Sequence, residues 1–199
     1  MLLLGLTGSI GMGKSTTAGL FREAGVPVYD ADATVHMIYE GEAAPAVEAA
    51  FPGTTVDGKV DRQKLSARVL NDAAAMKRLE QIVHPMLRAH QQAFLDAAER
   101  SGTPVAVLDV PLLFETGGES RVDAIVVVTT APDIQRQRIL ERPMMTPEKL
   151  DAILARQLPD AEKRRRADFV VDTSHGIEPV RRQIGDILRQ LATMPRRRV

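Results

Sequence analysis

The segment Gly8-Ser9-Ile10-Gly11-Met12-Gly13-Lys14-Ser15-Thr16 fits the pattern G-x-x-x-x-G-K-[ST], and its residue types suit one task, the holding of a polyphosphate. Glycines at these spacings let the backbone turn with its N–H groups aimed inward at phosphate oxygens. A helix opening at the end of the run adds the positive end of its dipole. On this reading Gly11, Met12 and Gly13 form the cradle, Lys14 reaches the β- and γ-phosphates, and the Ser15 hydroxyl ligates Mg²⁺. Thr16, in the first helical turn, offers backbone or hydroxyl contacts to the α-phosphate. The plainer alternative is a glycine-rich turn with an exposed lysine.

Two carboxylates stand where strands are expected to end. Asp32, in Asp30-Ala31-Asp32, could accept a proton from a hydroxyl attacking the γ-phosphate, or this acidic pair could cap the helix expected over residues 33–39. Asp109 could belong to the Mg²⁺ shell or cap a turn. The run from Asp109 to Glu115 places Val110-Pro111-Leu112-Leu113-Phe114 between two carboxylates, an arrangement that could line a pocket. Arg136, Arg138 and Arg142 fall at helical spacings that put Arg138 and Arg142 on one face, either closing over a transferring phosphate or forming a solvated basic face. His84-Pro85 with Arg88 reads alone as a packed or surface element. The basic run Lys163 to Arg166, offset by Asp160 and Glu162, reads as surface. No His, Asp and Glu set has zinc spacing, and there is no Gly-x-Ser-x-Gly elbow.

These residues need a scaffold, and the hydropathy pattern supplies one. Five continuous apolar runs, Leu2 to Leu6, Val26 to Tyr29, Val105 to Val110, Ala124 to Thr129 and Phe169 to Val171, have the unalternating character of buried parallel strands. Helical patterns separate them. In the final one Ile177, Val180, Ile184, Ile187, Leu188 and Leu191 share a face. The class expected is α/β, a five-stranded parallel sheet covered on both sides. Residues 31–100 are too many for a simple crossover and predict an inserted helical subdomain. Within it Phe51 to Arg62, with Pro52, Gly53 and Gly58, is expected to be turn-rich. The helix before the third strand should end near Ser101-Gly102. Pro132 to Arg166 reads as a mobile helical flap, with Thr146-Pro147-Glu148 as a helix start.

A chain of 199 residues, 44% hydrophobic and 26% charged, is sized and composed as one soluble globular domain, which excludes wholesale disorder, collagen and mucin readings. Lys plus Arg and Asp plus Glu balance at 26 each, so bulk charge points to neither nucleic acid nor membrane. The absence of cysteine excludes disulfides, thiolate metal sites and a cysteine nucleophile. Met1 to Leu6 is too short for a signal segment or a membrane span, and a cytoplasmic location is expected. The terminal Pro195-Arg196-Arg197-Arg198-Val199 reads as a solvated tail.

Taken in order, Gly5-Leu6-Thr7 with the phosphate-loop motif, Asp30-Ala31-Asp32 with His36, Val60-Asp61-Arg62 with Leu65, Leu79, Ile82 and His84-Pro85, Asp109 to Glu115, and Ala167-Asp168 to Asp172 resemble the dephospho-CoA kinase family. The resemblance implies transfer of the ATP γ-phosphate to the ribose 3′-hydroxyl of dephospho-CoA, giving coenzyme A and ADP, with Mg²⁺ required. It implies a nucleotide-binding core (about 1–31, 101–131 and 167–199), a helical substrate subdomain (about 32–100) and a lid (about 132–166). It also implies Asp32 as general base at the substrate, Lys14 and Arg142 as catalytic groups, His84 and Arg138 at the substrate, and Ser15 with Asp109 at the metal. No nucleic-acid, membrane or obligate protein partner is expected. Two positions depart from the family's frequent pattern. Thr173 follows Asp172 where Asn is frequent, which unsettles any adenine or ribose contact there, and Ser9 stands where Gly is frequent, which matters only if that backbone needs positive φ. Nucleoside kinases are the nearest rival reading, and the His84-Pro85 and Asp109 to Glu115 segments argue against it. A guanine-nucleotide switch needs an N-K-x-D element, which is missing.

Overall fold

The five apolar runs lie side by side as one sheet in the computed structural model, which describes residues 1–194; the basic tail 195–199 falls outside the described residues. The strands are β1 (Leu2–Thr7), β2 (Val28–Asp30), β5 (Val105–Asp109), β6 (Ala124–Thr129) and β7 (Phe169–Asp172), in the order β2-β5-β1-β6-β7. β1 runs parallel to both β5 and β6, with Leu2 opposite Val105 and Leu4 opposite Ala124. β2 begins later than its apolar run because Pro27 has no N–H to give a ladder; its carbonyl still accepts from Val107 N at 2.9 Å.

Two units partition the chain: Met1–Tyr29 together with the chain from Ala98 onward, and Asp30–Ala97. In the first, α1 (Lys14–Glu23) and α9 (Ile177–Leu191) pack on the sheet, burying Ala18, Leu20 and Phe21 with Val180, Ile184, Ile187 and Leu191 against Leu4, Leu6, Val107 and Val126. Residues of α9 at i, i+4, i+7 and i+11 form that stripe; of the predicted face, Leu188 is partly buried against it, whereas Ile177, in the helix's first turn, is exposed. Carboxylates precede two of the strands, Asp123 buried and Asp168 half-buried: Asp123 accepts from Leu3 N at 2.7 Å and Asp168 from Ile125 N at 2.9 Å. This unit also carries α6 (Pro132–Leu140), α7 (Pro147–Leu154) and α8 (Asp160–Arg166). Thr146 caps α7 through Lys149 N, with Pro147 in the first turn, as its residue types predicted.

The second unit holds α2 (Ala31–Tyr39), α3 (Ala44–Ala50), α4 (Arg62–Val69) and the greater part of α5 (Ala73–Arg100), around a core of Ile38, Val47, Phe51, Val60, Leu65, Val69, Leu79 and Val83. Its turn-rich stretch is a hairpin of β3 (Thr55–Val56) and β4 (Lys59–Val60). Asp57 and Gly58 both have positive φ, at 50° and 76°, the conformation that an Asp-Gly hairpin turn requires. Among the described residues no helix is long and apolar enough to cross a membrane.

Candidate active site

The loop between β1 and α1 is built by what its residues permit. Gly11 and Gly13 take φ of 78° and 92°, which a side chain would strain. Each also lies against a neighbour. A Cβ on Gly11 would stand 2.5 Å from Ile139 Cγ1, and one on Gly13 would stand 3.0 Å from Thr173 Oγ1. Ser9 is not among the residues of positive φ, so that departure has no backbone consequence. Gly13 caps α1, and the first intrahelical bond runs from Thr17 N to Gly13 O at 3.0 Å. The N–H groups of Lys14, Ser15 and Thr16 thus precede the helical ladder, and the Ser15 and Thr16 side chains are exposed.

Asp109 ends β5 opposite Leu6 and is 2% exposed. Its Oδ1 forms an ion pair with Lys14 Nζ. The carboxylate thus sits against the loop lysine, beside the phosphate-loop motif and away from solvent. The exposed hydroxyl of Ser15 and the Asp109 carboxylate, which pairs with the neighbouring Lys14, are hard oxygen donors of the kind Mg²⁺ takes, so the residues present fit that ion.

Beyond Asp109 the chain turns, with Val110 N bonded to Leu6 O at 3.0 Å and Thr7 Oγ1 to Pro111 O at 3.1 Å. Leu113 and Phe114 are buried and Leu112 is exposed. The second carboxylate of this run, Glu115, lies 2.9 Å from Lys163 Nζ and accepts from Leu158 N at 2.9 Å. The surface reading of the 163–166 run is therefore corrected. Lys163 is 0% exposed, because its position on α8 meets Glu115, whereas Arg164, Arg165 and Arg166 are exposed. Arg166 lies over the Phe114 ring, 4.5 Å from its centroid. Burial raises the pKa of Glu115, but the Lys163 ammonium and the Leu158 N–H outweigh it and hold the carboxyl below its ordinary value.

Removing one partner of a buried ion pair costs about 3–5 kcal/mol, and Glu115 keeps its backbone partner, so Lys163→Met is expected near the low end. At about 2–4 °C per kcal/mol for this size, the melting temperature should fall roughly 6–12 °C, measured by thermal denaturation. A fall under 2 °C would show that the pair contributes little. Because the folded pKa of Glu115 is depressed, its contribution is complete above the ordinary glutamate value of about 4.3. It is lost as pH falls through the lower folded value, and the difference between Lys163→Met and parent should shrink there.

Helix α6 meets the loop directly. Gln135 Nε2 donates to Ile10 O at 2.7 Å, and Gln157, just past α7, accepts from Ile10 N at 3.2 Å. Arg138 donates through Nη1 to Thr173 Oγ1 and through Nη2 to Thr173 O, both at 2.9 Å. Thr173 Oγ1 in turn donates to Met12 O at 2.8 Å. The threonine that departs from the frequent asparagine is buried, wedged between Arg138 and the loop. Arg142 does not continue the face of Arg138. α6 ends at Leu140 with Glu141 as its C-cap, and the residue before Pro143 is disfavoured in helical conformation; Arg142 is exposed. Arg136 is exposed and lies 3.6 Å from Asp151.

In the second unit, the helix cap falls to Asp30 and not to Asp32. Asp30 caps α2 by accepting from Ala33 N at 2.9 Å, while Asp32 stands in the first helical turn with an exposed side chain, as does His36 further along. Asp61 caps α4 through Gln63 N and Lys64 N, both at 3.0 Å, so this part of the motif set is structural. His84 and Arg88 are exposed on α5, which runs on through Pro85. Gln135, Gln157 and Lys163 were missed from the residue pattern: two are neutral amides outside any motif, and the third sits in a run of like charge. Only the i, i+3, i+4 spacing of Gln135, Arg138 and Ile139 marks them as one face.

A parallel sheet of this order, with a phosphate-type loop between its central strand and α1 and an acidic residue ending the adjacent strand, defines a P-loop kinase. A family model described as "Dephospho-CoA kinase" matches residues 2–178. A protein named "Dephospho-CoA kinase" from Rhodopseudomonas palustris is 80% identical over 198 residues, all of each chain. This chain belongs to the dephospho-CoA kinase family. A crystal structure of a Thermus thermophilus protein aligns with TM-score 0.82 and 33% identity, over 96% of this chain and 97% of that one. The dephospho-CoA kinase of Campylobacter jejuni shares the fold, with TM-score 0.65 and 24% identity over 95% and 96% of the two chains.

Proposed function

We propose that this enzyme transfers the γ-phosphoryl group of ATP to the ribose 3′-hydroxyl of dephospho-CoA, giving coenzyme A and ADP, the last step of coenzyme A biosynthesis. What carries the reading is the whole-length match to a dephospho-CoA kinase at 80% identity, on a chain whose phosphate loop is intact. In the transfer, the bond from the γ-phosphorus to the β–γ bridging oxygen breaks and one to the 3′-oxygen forms. Asp32 takes the proton of the attacking hydroxyl, a role its exposed and uncapped carboxylate leaves open. The N–H groups of Gly11, Gly13, Lys14, Ser15 and Thr16 hold the phosphates, Met12 shapes the cradle between them through its own turn bond to Ser9 O, and Lys14 offsets the charge that gathers on the leaving oxygen. Ser15 and Asp109 would hold Mg²⁺, which when bound draws charge from the phosphate oxygens.

Residues 32–100 serve as the substrate subdomain, with His84 at the acceptor nucleotide. Residues 132–166 serve as the lid, with Arg142 and Arg138 toward the anionic ligands; excluding water there favours transfer over hydrolysis. The reading needs only a small-molecule acceptor, invokes no protein or nucleic-acid partner, and places the enzyme in the cytoplasm.

ADP release from Mg-ATP should be stimulated by dephospho-CoA and not by adenosine or AMP, and product mass should rise by one phosphate. Equal rates with every acceptor would overturn the assignment.

A further inference from the structure

Both backbone polar groups of Ile10 are committed to side chains from outside the loop. Its N–H donates to Gln157 Oε1 at 3.2 Å and its carbonyl accepts from Gln135 Nε2 at 2.7 Å. The partner chemistry fixes which end of each amide faces the loop: a peptide N–H needs an oxygen and a peptide carbonyl needs a donor. The two glutamines come from different places, one on α6 and the other between α7 and α8, so the loop is gripped from two sides. The same face of α6 closes on the next residues. Ile139 fills the space a Gly11 side chain would need, and Arg138 holds Thr173 against the Met12 carbonyl. Ser9 O adds a turn bond from Met12 N at 3.2 Å. With Ile10 and Met12 both pinned, the peptides of Gly11 and Gly13 on either side of Met12 have little freedom left, and these carry donors of the proposed phosphate cradle.

We propose that Gln135 and Gln157 are positioning residues of this kinase, which set the phosphate loop by holding opposite polar groups of Ile10. The proposal rests on the reading of this loop as the ATP site. It makes the two amides chemically unequal, because one works as a donor and the other as an acceptor. A glutamate at position 157 still accepts from the Ile10 N–H. A glutamate at position 135 faces a carbonyl it cannot bond and repels it. Both variants place one extra negative charge beside the same residue, so any general repulsion of ATP is common to them.

ATP affinity is therefore compared by titration calorimetry, without acceptor, in Gln157→Glu, Gln135→Glu, Gln157→Met and Lys14→Ala enzymes, with melting temperatures of the nucleotide-free proteins alongside. Gln135→Glu should bind ATP at least tenfold more weakly than Gln157→Glu, and Gln157→Met about tenfold more weakly than parent. Equal affinities in the two glutamate variants would overturn the proposal. So would losses of affinity in all the glutamine variants that simply follow their losses in melting temperature. If Lys14→Ala alone weakens ATP, the loop reading stands and this inference fails; if Lys14→Ala binds ATP as parent does, both fail.

Discussion

An enzyme carrying Asp32→Asn is expected to bind ATP as the parent does while its kcat falls roughly 10²–10⁴-fold, the span that a positioned general base contributes. The substitution is close to isosteric, and the helix it sits on does not depend on it, because Asp30 supplies the cap to Ala33 N. Asparagine loses only the ability to take a proton and a favourable charge at the helix N-terminus, the latter worth a few tenths of a kcal/mol at an exposed position. Asp30→Ala gives the contrasting case. It removes a cap, at about 1 kcal/mol, and should lower the melting temperature with a much smaller change in kcat. Initial-rate measurements with dephospho-CoA, paired with ATP titration, separate the two. A kcat for Asp32→Asn within threefold of parent would remove this residue from the chemistry.

Replacing Lys14 with alanine should weaken ATP binding and lower kcat/KM together, by roughly 10²–10³-fold, as loss of a charged donor at a transferring group does. The ammonium sits between two demands. It is the ion-pair partner of a carboxylate that is 2% exposed, and the phosphates would compete for the same cation. The alanine enzyme also loses that counter-charge beside Asp109, so it should melt lower as well, and rates are to be measured well below its midpoint. A kcat/KM within threefold of parent would return this residue to the exposed-lysine reading.

Much of the frame could be read from residue types. The strands are apolar runs, and Thr146-Pro147 announced α7 because its cap is local in sequence. The phosphate loop is likewise a contiguous motif whose glycines encode their own dihedral angles. The failures share a different character. Lys163 and Glu115 are separated by 48 positions, and nothing in a run of Lys and Arg says which one turns inward. Gln135 and Gln157 act on backbone atoms of Ile10, and a backbone acceptor leaves no trace in composition. The β3–β4 hairpin is a separate kind of miss: its strands are two residues each, too short for alternation to register, but Asp57-Gly58 was a legible hairpin turn. Helical spacing groups Arg142 with Arg138, although Pro143 marks the end of that helix.

The sheet order has a consequence for how the chain finds its structure. Leu2 pairs with Val105 in the centre of the sheet, so β1 and β5 must meet across about a hundred residues, at a closure entropy of about 4 kcal/mol if that stretch were a free coil. The stretch is not obliged to stay one. Asp30–Ala97 holds its own apolar cluster, and early collapse of that cluster shortens the effective loop that β1 and β5 must close. The insertion would then act as an internal splint for the sheet, and substitutions in its core, such as Ile38 or Val47, would slow refolding as well as lower stability.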